Sequence, residues 1–139
     1  MKYNNLIIEK KEYMLLKRFM NLSEFYKDRT LAYSMKKLMG ELEHAQIVDD
    51  FKMPTDVIRF NTKITIDSEN GWQTTFTLVT PNESDVKNNK ISFLTPMGSA
   101  VIGYAEGDTI TWEFPSGEQK LTIQKVEQKQ RHVNIDSVL

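Results

Sequence analysis

The sequence contains no cysteine and only two histidines, and its 139 residues include just four prolines and six glycines. The absence of cysteine excludes disulfides, thiolate nucleophiles and zinc–thiolate sites. No apolar run approaches the roughly 20 residues needed to span a bilayer. The apolar run at residues 6–8 is too short for the core of a signal peptide. We therefore expect a cytoplasmic protein.

The chain also lacks an excess of either charge and lacks the usual catalytic motifs. Its net charge of −1 argues against nucleic acid as the main partner, because proteins that bind nucleic acids usually carry a basic face. Glycine-rich phosphate-binding loops, HExxH and EF-hand spacings do not occur. Neither His44 nor His132 has a catalytic partner at a useful spacing, so we expect solvated histidines. We expect no catalytic residue, metal or cofactor.

The first half of the chain reads as helical. Apolar residues spaced alternately by four and three positions predict one helix face, formed by Leu31, Met35, Leu38, Leu42 and Ala45. Asp28 or Thr30 would cap its start. A shorter helix is predicted over residues 9–22, and residues 23–29 form the turn. Its apolar stripe is Leu15, Phe19 and Leu22, with Leu16 and Met20 beside it. These elements predict an antiparallel hairpin about 20 Å long within residues 1–52. The alternative is that both helices pack on the rest of the domain.

The second half reads as β structure. Residues 49–55 break the helix, and strand patterns follow at residues 57–66, 72–80, 90–94, 109–114 and 119–127. Turns are expected at residues 67–71 and 115–117, and a polar loop at residues 81–89. A short helix at residues 97–103 would end at Gly103 in a left-handed cap. The fold class is α+β: the hairpin, a mostly antiparallel β domain with one short helix over residues 53–128, and a frayed tail over residues 129–139.

Two motifs carry a family resemblance. The turn Thr95-Pro96-Met97-Gly98, followed ten residues later by Gly107-Asp108, resembles the C-terminal domain of the bacterial Gre transcript-cleavage factors. The junction ELEHAQ at residues 41–46, MPTDV at residues 53–57 and Asn61 resembles their relative, the regulator of nucleoside diphosphate kinase (Rnk) family, whose hairpin is also short. The resemblance implies an FKBP-like fold for the second half.

The resemblance also implies a partner. Gre-type factors bind the rim of the secondary channel of RNA polymerase through this turn. The resemblance would place Leu94, Thr95, Pro96 and Met97 at the interface, where the turn would present a hydroxyl group and an exposed methionine. The competing interpretation is that this turn merely connects strand to helix. We expect a non-enzymatic transcription regulator that places its hairpin in the channel mouth and competes with Gre cleavage factors.

Two other functions stay open at this point. Glu24 and Asp28 lie near the hairpin tip, where carboxylates of a cleavage factor would help to hold the magnesium ion of the polymerase. Against this, Asp28 can cap a helix and Glu24 can be a solvated charge. A weak FKBP-type prolyl isomerase would use aromatic residues, here Trp72, Phe76, Trp112 and Phe114, although aromatic residues in strands usually belong to the core.

Overall fold

The computed structural model describes residues 1–114 and 117–129, with the Phe114 side chain left out. The described part contains three α-helices and seven strands. The helices are α1 (Lys10–Leu22), α2 (Arg29–Leu42) and α3 (Pro96–Val101). The strands are β1 (Ile7–Glu9), β2 (Gln46–Val48), β3 (Lys63–Ser68), β4 (Gln73–Val79), β5 (Lys90–Ser92), β6 (Thr109–Phe114) and β7 (Gly117–Glu127). In the described residues, no helix is long and apolar enough to cross a membrane.

Five strands form the main sheet, in the order β5-β4-β3-β7-β6. All neighbours are antiparallel except β4 and β5, which run parallel. A register shift between Thr65 and Ile66 interrupts the β3–β7 ladder, and such a bulge increases local twist. Alternate residues of β3 and β7, including Ile64, Leu121 and Ile123, are fully buried, as expected for a sheet with one covered face. The predicted α+β class with a mostly antiparallel domain is confirmed.

The two long helices follow the sequence pattern closely, apart from the face that α1 buries. α1 has 13 residues and α2 has 14, about 20 Å each, and residues 23–28 join them. The Asp28 carboxylate accepts the Leu31 amide at 3.1 Å and caps α2. The predicted stripe of α1 is only partly right. Phe19 packs on the core, but the buried residues are its neighbours Leu16 and Met20, and Leu22 is 76% exposed.

Both helices bury one side in the core that they share with the β domain. Phe19 of α1 stacks at a tilt on Phe93 with ring centroids 6.1 Å apart, and α2 packs along α3. Met35 and Leu38 in the middle of α2 are at most 1% exposed and share one core cluster with the sheet. The two helices that residues 23–28 join therefore also pack on the β domain.

A short parallel strand pair brackets the helices, and the sequence pattern missed it. β1 pairs with β2 in the register Ile7–Gln46 to Glu9–Val48, so the first half, which reads as helical in the sequence, also contains two strands. Three-residue strands have no readable alternation, and their pairing joins segments almost forty residues apart. Residues 6–8 are nearly fully buried, so the start of the chain contributes to the core.

The first strand of the second half begins later than the sequence pattern predicts. The strand expected at residues 57–66 begins only at Lys63, because Asn61 adopts a left-handed backbone with φ 68° and turns the chain. Val57 instead forms an isolated bridge with Ala105. Asparagine tolerates this conformation better than most residues, which gives the Asn61 of the junction motif a structural reason. Residues 115–116 of the predicted turn and residues 130–139 of the predicted tail lie outside the described part, and Gly117 begins β7.

Candidate docking site at the turn before α3

The turn Thr95-Pro96-Met97-Gly98 is a tightly bonded helix start. The Thr95 hydroxyl donates to the Ser92 carbonyl at 2.7 Å and accepts the Gly98 amide at 3.0 Å, so Thr95 is the N-cap of α3. Pro96 occupies the first turn, where its missing N–H costs nothing and its fixed φ suits the helix. The two hydrogen bonds and the proline ring together restrict the conformation of this turn.

Gly98 allows α3 to approach the preceding strand. A Cβ added there would lie 2.2 Å from the Ser92 carbonyl oxygen and 2.8 Å from the Phe93 Cα, both backbone atoms that cannot swing aside. The glycine is required by this close approach, since any side chain would push α3 off the end of β5. The "x-Gly" of the motif is therefore explained by packing.

The side chains offered at the turn differ from the expectation. Leu94, Thr95, Pro96 and Met97 are all half-buried, and Leu94 and Met97 pack on the core. Met97 is therefore not the exposed residue that the sequence suggested. The Thr95 hydroxyl already makes one hydrogen bond as donor and one as acceptor within the turn. What the turn presents to a partner is mainly apolar surface.

This apolar surface continues into a groove of about 400 Å³. The groove runs from the turn across the sheet and reaches the first turn of α2 at Thr30. Its apolar members come from β4, β5, α3 and β6, and Glu113 is its charged member. The lining residues are Thr30, Thr74, Thr75, Phe76, Asn89, Ile91, Thr95, Pro96, Met97, Trp112 and Glu113.

The aromatic residues considered for an isomerase site are only partly brought together. Phe76 and Trp112 line the groove, but Phe76 is 4% exposed and forms its floor. Trp72 does not line it, and the Trp72 indole donates to Gln119 at 3.2 Å. The Phe114 side chain lies outside the described part. Two aromatic residues remain at the groove, enough to contact an apolar side chain of a partner.

The carboxylates near the tip are engaged locally. Glu24 is paired with Lys27 at 2.7 Å, and both side chains are well exposed. The Asp28 carboxylate caps α2. Among the described residues, no group of three or more histidine or acidic side chains is placed to hold a metal ion. His44 is exposed just after α2, and His132 lies outside the described part.

A buried ion cluster fixes the helices to the β domain, and sequence reasoning did not find it. The Arg59 Nε donates to a Glu12 carboxylate oxygen at 2.7 Å and the second guanidinium nitrogen bonds the same oxygen. Arg59 also reaches Asp50 at 2.8 Å, and the other Glu12 oxygen accepts the Phe60 amide at 3.0 Å. The Arg59 and Glu12 side chains are 11% and 12% exposed. Burial raises the pKa of the Glu12 carboxyl, and Arg59 and the Phe60 amide oppose that rise.

A second polar contact joins α2 to the domain. The Tyr104 hydroxyl donates to the Glu41 carboxylate. Burial and this hydrogen bond both raise the pKa of Tyr104. Burial also raises the pKa of Glu41, while the hydrogen bond from Tyr104 acts against that rise. Glu41 belongs to the ELEHAQ segment, so the junction motif contains a residue that fastens the helices.

The acidic residues of the MPTDV segment and of the Gly107-Asp108 turn also make hydrogen bonds that hold the fold together. Asp56 of MPTDV accepts the Tyr3 hydroxyl at 2.8 Å and bonds Lys2. Asp108 of the Gly-Asp turn is 5% exposed and accepts the amides of Ala105 at 2.8 Å and Lys2 at 2.6 Å. Asp56 therefore ties the chain start to the segment before β3, and Asp108 ties it to the loop before β6.

Fold and site together define a class of protein: a small, mostly antiparallel β domain with a tightly bonded turn before α3 and two helices packed on it. A sequence model of the family described as "Transcription elongation factor, GreA/GreB, C-term" matches residues 53–128. The chain belongs to this GreA/GreB family.

Similar proteins agree with this assignment. The chain is 36% identical over 93 residues to transcription elongation factor GreA of Anaeromyxobacter sp. (strain K), an alignment that covers 63% of this chain and 56% of that protein. It is 33% identical over 95 residues to GreA of Xylella fastidiosa, covering 67% and 60%. The chain thus spans little more than half the length of these relatives. A solved structure, prokaryotic transcription elongation factor GreA/GreB from Nitrosomonas europaea, is 29% identical, with 88% of this chain and 98% of that chain covered at a TM-score of 0.70.

Proposed function

We propose that this protein is a transcription regulator that binds RNA polymerase at the rim of the secondary channel without catalysing a reaction. Membership of the GreA/GreB family supports the partner. The preformed Thr95–Gly98 turn, continuous with an apolar groove, supports the docking surface. The single observation that carries the proposal is that a rigid turn and a groove with partly exposed aromatic and aliphatic side chains meet at the family motif.

Three observations support regulation by occupancy. The helices are about 20 Å long and folded on the domain, so the tip at residues 23–28 stays close to the groove. Glu24 is paired with Lys27, and Asp28 is used as a helix cap. A protein that holds the rim without placing carboxylates deeper in the channel would exclude longer cleavage factors, because two proteins cannot fill one site. The short helices also match the Rnk-like branch better than the longer Gre hairpin.

The test is binding to purified core RNA polymerase, followed by competition with a cleavage factor. The informative variant is Pro96→Ser combined with Met97→Ser, which reduces the apolar surface while keeping Thr95 and Gly98. Phe51→Ser is the matched control, because Phe51 is 80% exposed and does not line the groove. Circular dichroism of each variant checks the fold.

We expect competitive binding that the double variant weakens at least tenfold and the control retains. No binding of the wild type at tens of micromolar would overturn the proposal. In stalled elongation complexes, we expect no added RNA cleavage. Cleavage that Glu24→Gln or Asp28→Asn abolishes would make the protein a cleavage factor instead. Proline-peptide isomerisation above the uncatalysed rate would favour the isomerase alternative.

A further inference from the structure

The outer face of α1, formed by Lys11, Met14, Leu15, Arg18 and Leu22, has no partner within the described chain. These positions follow the spacing i, i+3, i+4, i+7 and i+11, which places them on one side of a helix. All five are exposed, with Met14 at 68% and Leu22 at 76%. The opposite side of the same helix buries Leu16 and Met20. The helix is therefore apolar on two sides, and only one of them is covered.

The charge on this face has a single sign. Lys11 and Arg18 lie on it and Lys17 lies beside it, all exposed. Glu12 is the one acidic residue of Lys10–Leu22, and its carboxylate points inward to Arg59. Just before the helix, Glu9 is 6% exposed and caps α1 by accepting the Lys11 amide at 2.9 Å. The three exposed apolar residues Met14, Leu15 and Leu22 form an apolar ridge. The cations beside this ridge have no carboxylate on the same helix to neutralise them.

We infer that the outer face of α1 binds an acidic amphipathic α-helix of a partner protein. Met14, Leu15 and Leu22 would contact the apolar stripe of that helix, and Lys11, Lys17 and Arg18 would pair with flanking carboxylates. Two helices usually recognise each other through an apolar seam and through opposite charges on either side of it. The inference concerns a different surface from the groove at Thr95–Gly98 and does not depend on the proposed function.

The other occupants fit the face less well. In an antiparallel pair of two copies, the cations of one α1 would face those of the other, and like charges destabilise such pairs. Single-stranded nucleic acid is held by stacking on aromatic side chains as well as by cations, and this face has none. An anionic membrane surface favours helices with a broad apolar side that often includes tryptophan or phenylalanine. Here the exposed ridge has three aliphatic residues.

The test uses a fluorescent synthetic peptide of about 20 residues, with leucine at positions i, i+3, i+4 and i+7 and glutamate beside that stripe. Its controls are the same peptide with lysine in place of glutamate, an anionic phospholipid vesicle and a single-stranded DNA oligonucleotide. The protein is tested as wild type, as the ridge variant Met14→Asp with Leu22→Asp, and as the charge variant Lys11→Glu with Arg18→Glu. Tyr33→Asp is the matched control, since Tyr33 is 56% exposed on α2.

We expect the acidic peptide to bind the wild-type protein. Its affinity should be at least tenfold lower for both variants and should fall as the salt concentration rises. Tyr33→Asp and the Pro96/Met97 double variant should bind it like the wild type. No binding at 500 μM (about the weakest useful affinity) would overturn the inference. Equal binding of the lysine peptide, or tighter binding of vesicles or DNA, would also overturn it. So would a dimer of the free protein that the ridge variant dissociates.

Discussion

Replacing Arg59 by methionine should destabilise the protein by about 3–5 kcal/mol, the usual cost of removing one partner from a buried ion pair. Glu12 is 12% exposed at its side chain and would be left beside Asp50 and Glu9 without the guanidinium. The loss compares with a total stability of about 5–15 kcal/mol for a domain. At about 3 °C per kcal/mol for a chain of this size, the midpoint of thermal unfolding should fall by about 10 °C or more.

The assay is urea and thermal unfolding followed by circular dichroism, with Arg18→Met as the matched control. Arg18 is exposed on α1, so its replacement should change stability by no more than about 0.5 kcal/mol. Replacing Glu12 and Arg59 together by methionine should recover part of the loss, because apolar pairs replace buried ion pairs at little cost. Recovery should be incomplete, since the Phe60 amide loses its acceptor, at a cost of about 1–3 kcal/mol.

The dependence on pH gives a further check on the same cluster. Burial raises the pKa of Glu12 even in the wild type, so the folded state holds this proton more tightly than the unfolded state. Its contribution to stability is therefore present at pH values below the unfolded pKa and is lost as pH rises through the folded pKa. Without Arg59 the pKa of Glu12 in the folded state rises further. The difference in unfolding free energy between wild type and Arg59→Met should therefore become smaller as the pH is lowered. A difference in unfolding free energy below about 1 kcal/mol at pH 7, or a difference that grows in acid, would refute this account.

Four further substitutions test individual positions. Gly98→Ala should cost about 3 kcal/mol by overpacking, measured by urea unfolding, whereas Gly40→Ala should stabilise α2 by about 0.5–1 kcal/mol, because a Cβ at Gly40 meets nothing within 4 Å. A loss at Gly40 equal to that at Gly98 would contradict the packing argument. Tyr104→Phe should cost about 1 kcal/mol by removing the donor to Glu41, and an unchanged midpoint would show that this contact contributes nothing. Asp28→Ala should lower the thermal midpoint by the equivalent of about 1 kcal/mol through loss of the cap, and a larger loss would indicate another role for Asp28.

Local signals in the sequence were sufficient for much of the fold. The α2 face with Met35, Leu38 and Leu42, and the cap at Asp28, follow from rules that act within one or two helical turns. Gly103 takes the left-handed backbone expected of a helix cap, with φ 82°. The motif at Thr95–Gly98 identified the family before any tertiary contact was known. In each case the cause lies within a few residues of its effect.

The features that the sequence did not reveal depend on distant contacts. The β1–β2 pair joins the chain start to residues after α2, and Arg59 meets Glu12 across 47 positions. The choice between Leu15 and Leu16 as the buried residue of α1 depends on how the helix is rotated against Phe93 and the sheet. With apolar residues on both sides of α1, periodicity alone could not settle that rotation. The same ambiguity in the sequence is what leaves an uncovered ridge on the outside.

The packing of the two helices on the β domain affects how a family member with such short helices would act. Leu16, Met20, Met35, Leu38 and Leu42 are each at most 5% exposed, and burying such side chains contributes about 1.5–3 kcal/mol each. If half of that burial is against the β domain rather than between the helices, lifting the pair off would cost about 4–7 kcal/mol, before Arg59 and Tyr104 lose their partners. That cost is comparable with the stability of a whole domain. On the proposed function, the protein would therefore meet the polymerase as one compact body, and its effect would come from holding the rim rather than from extending a tip into the channel.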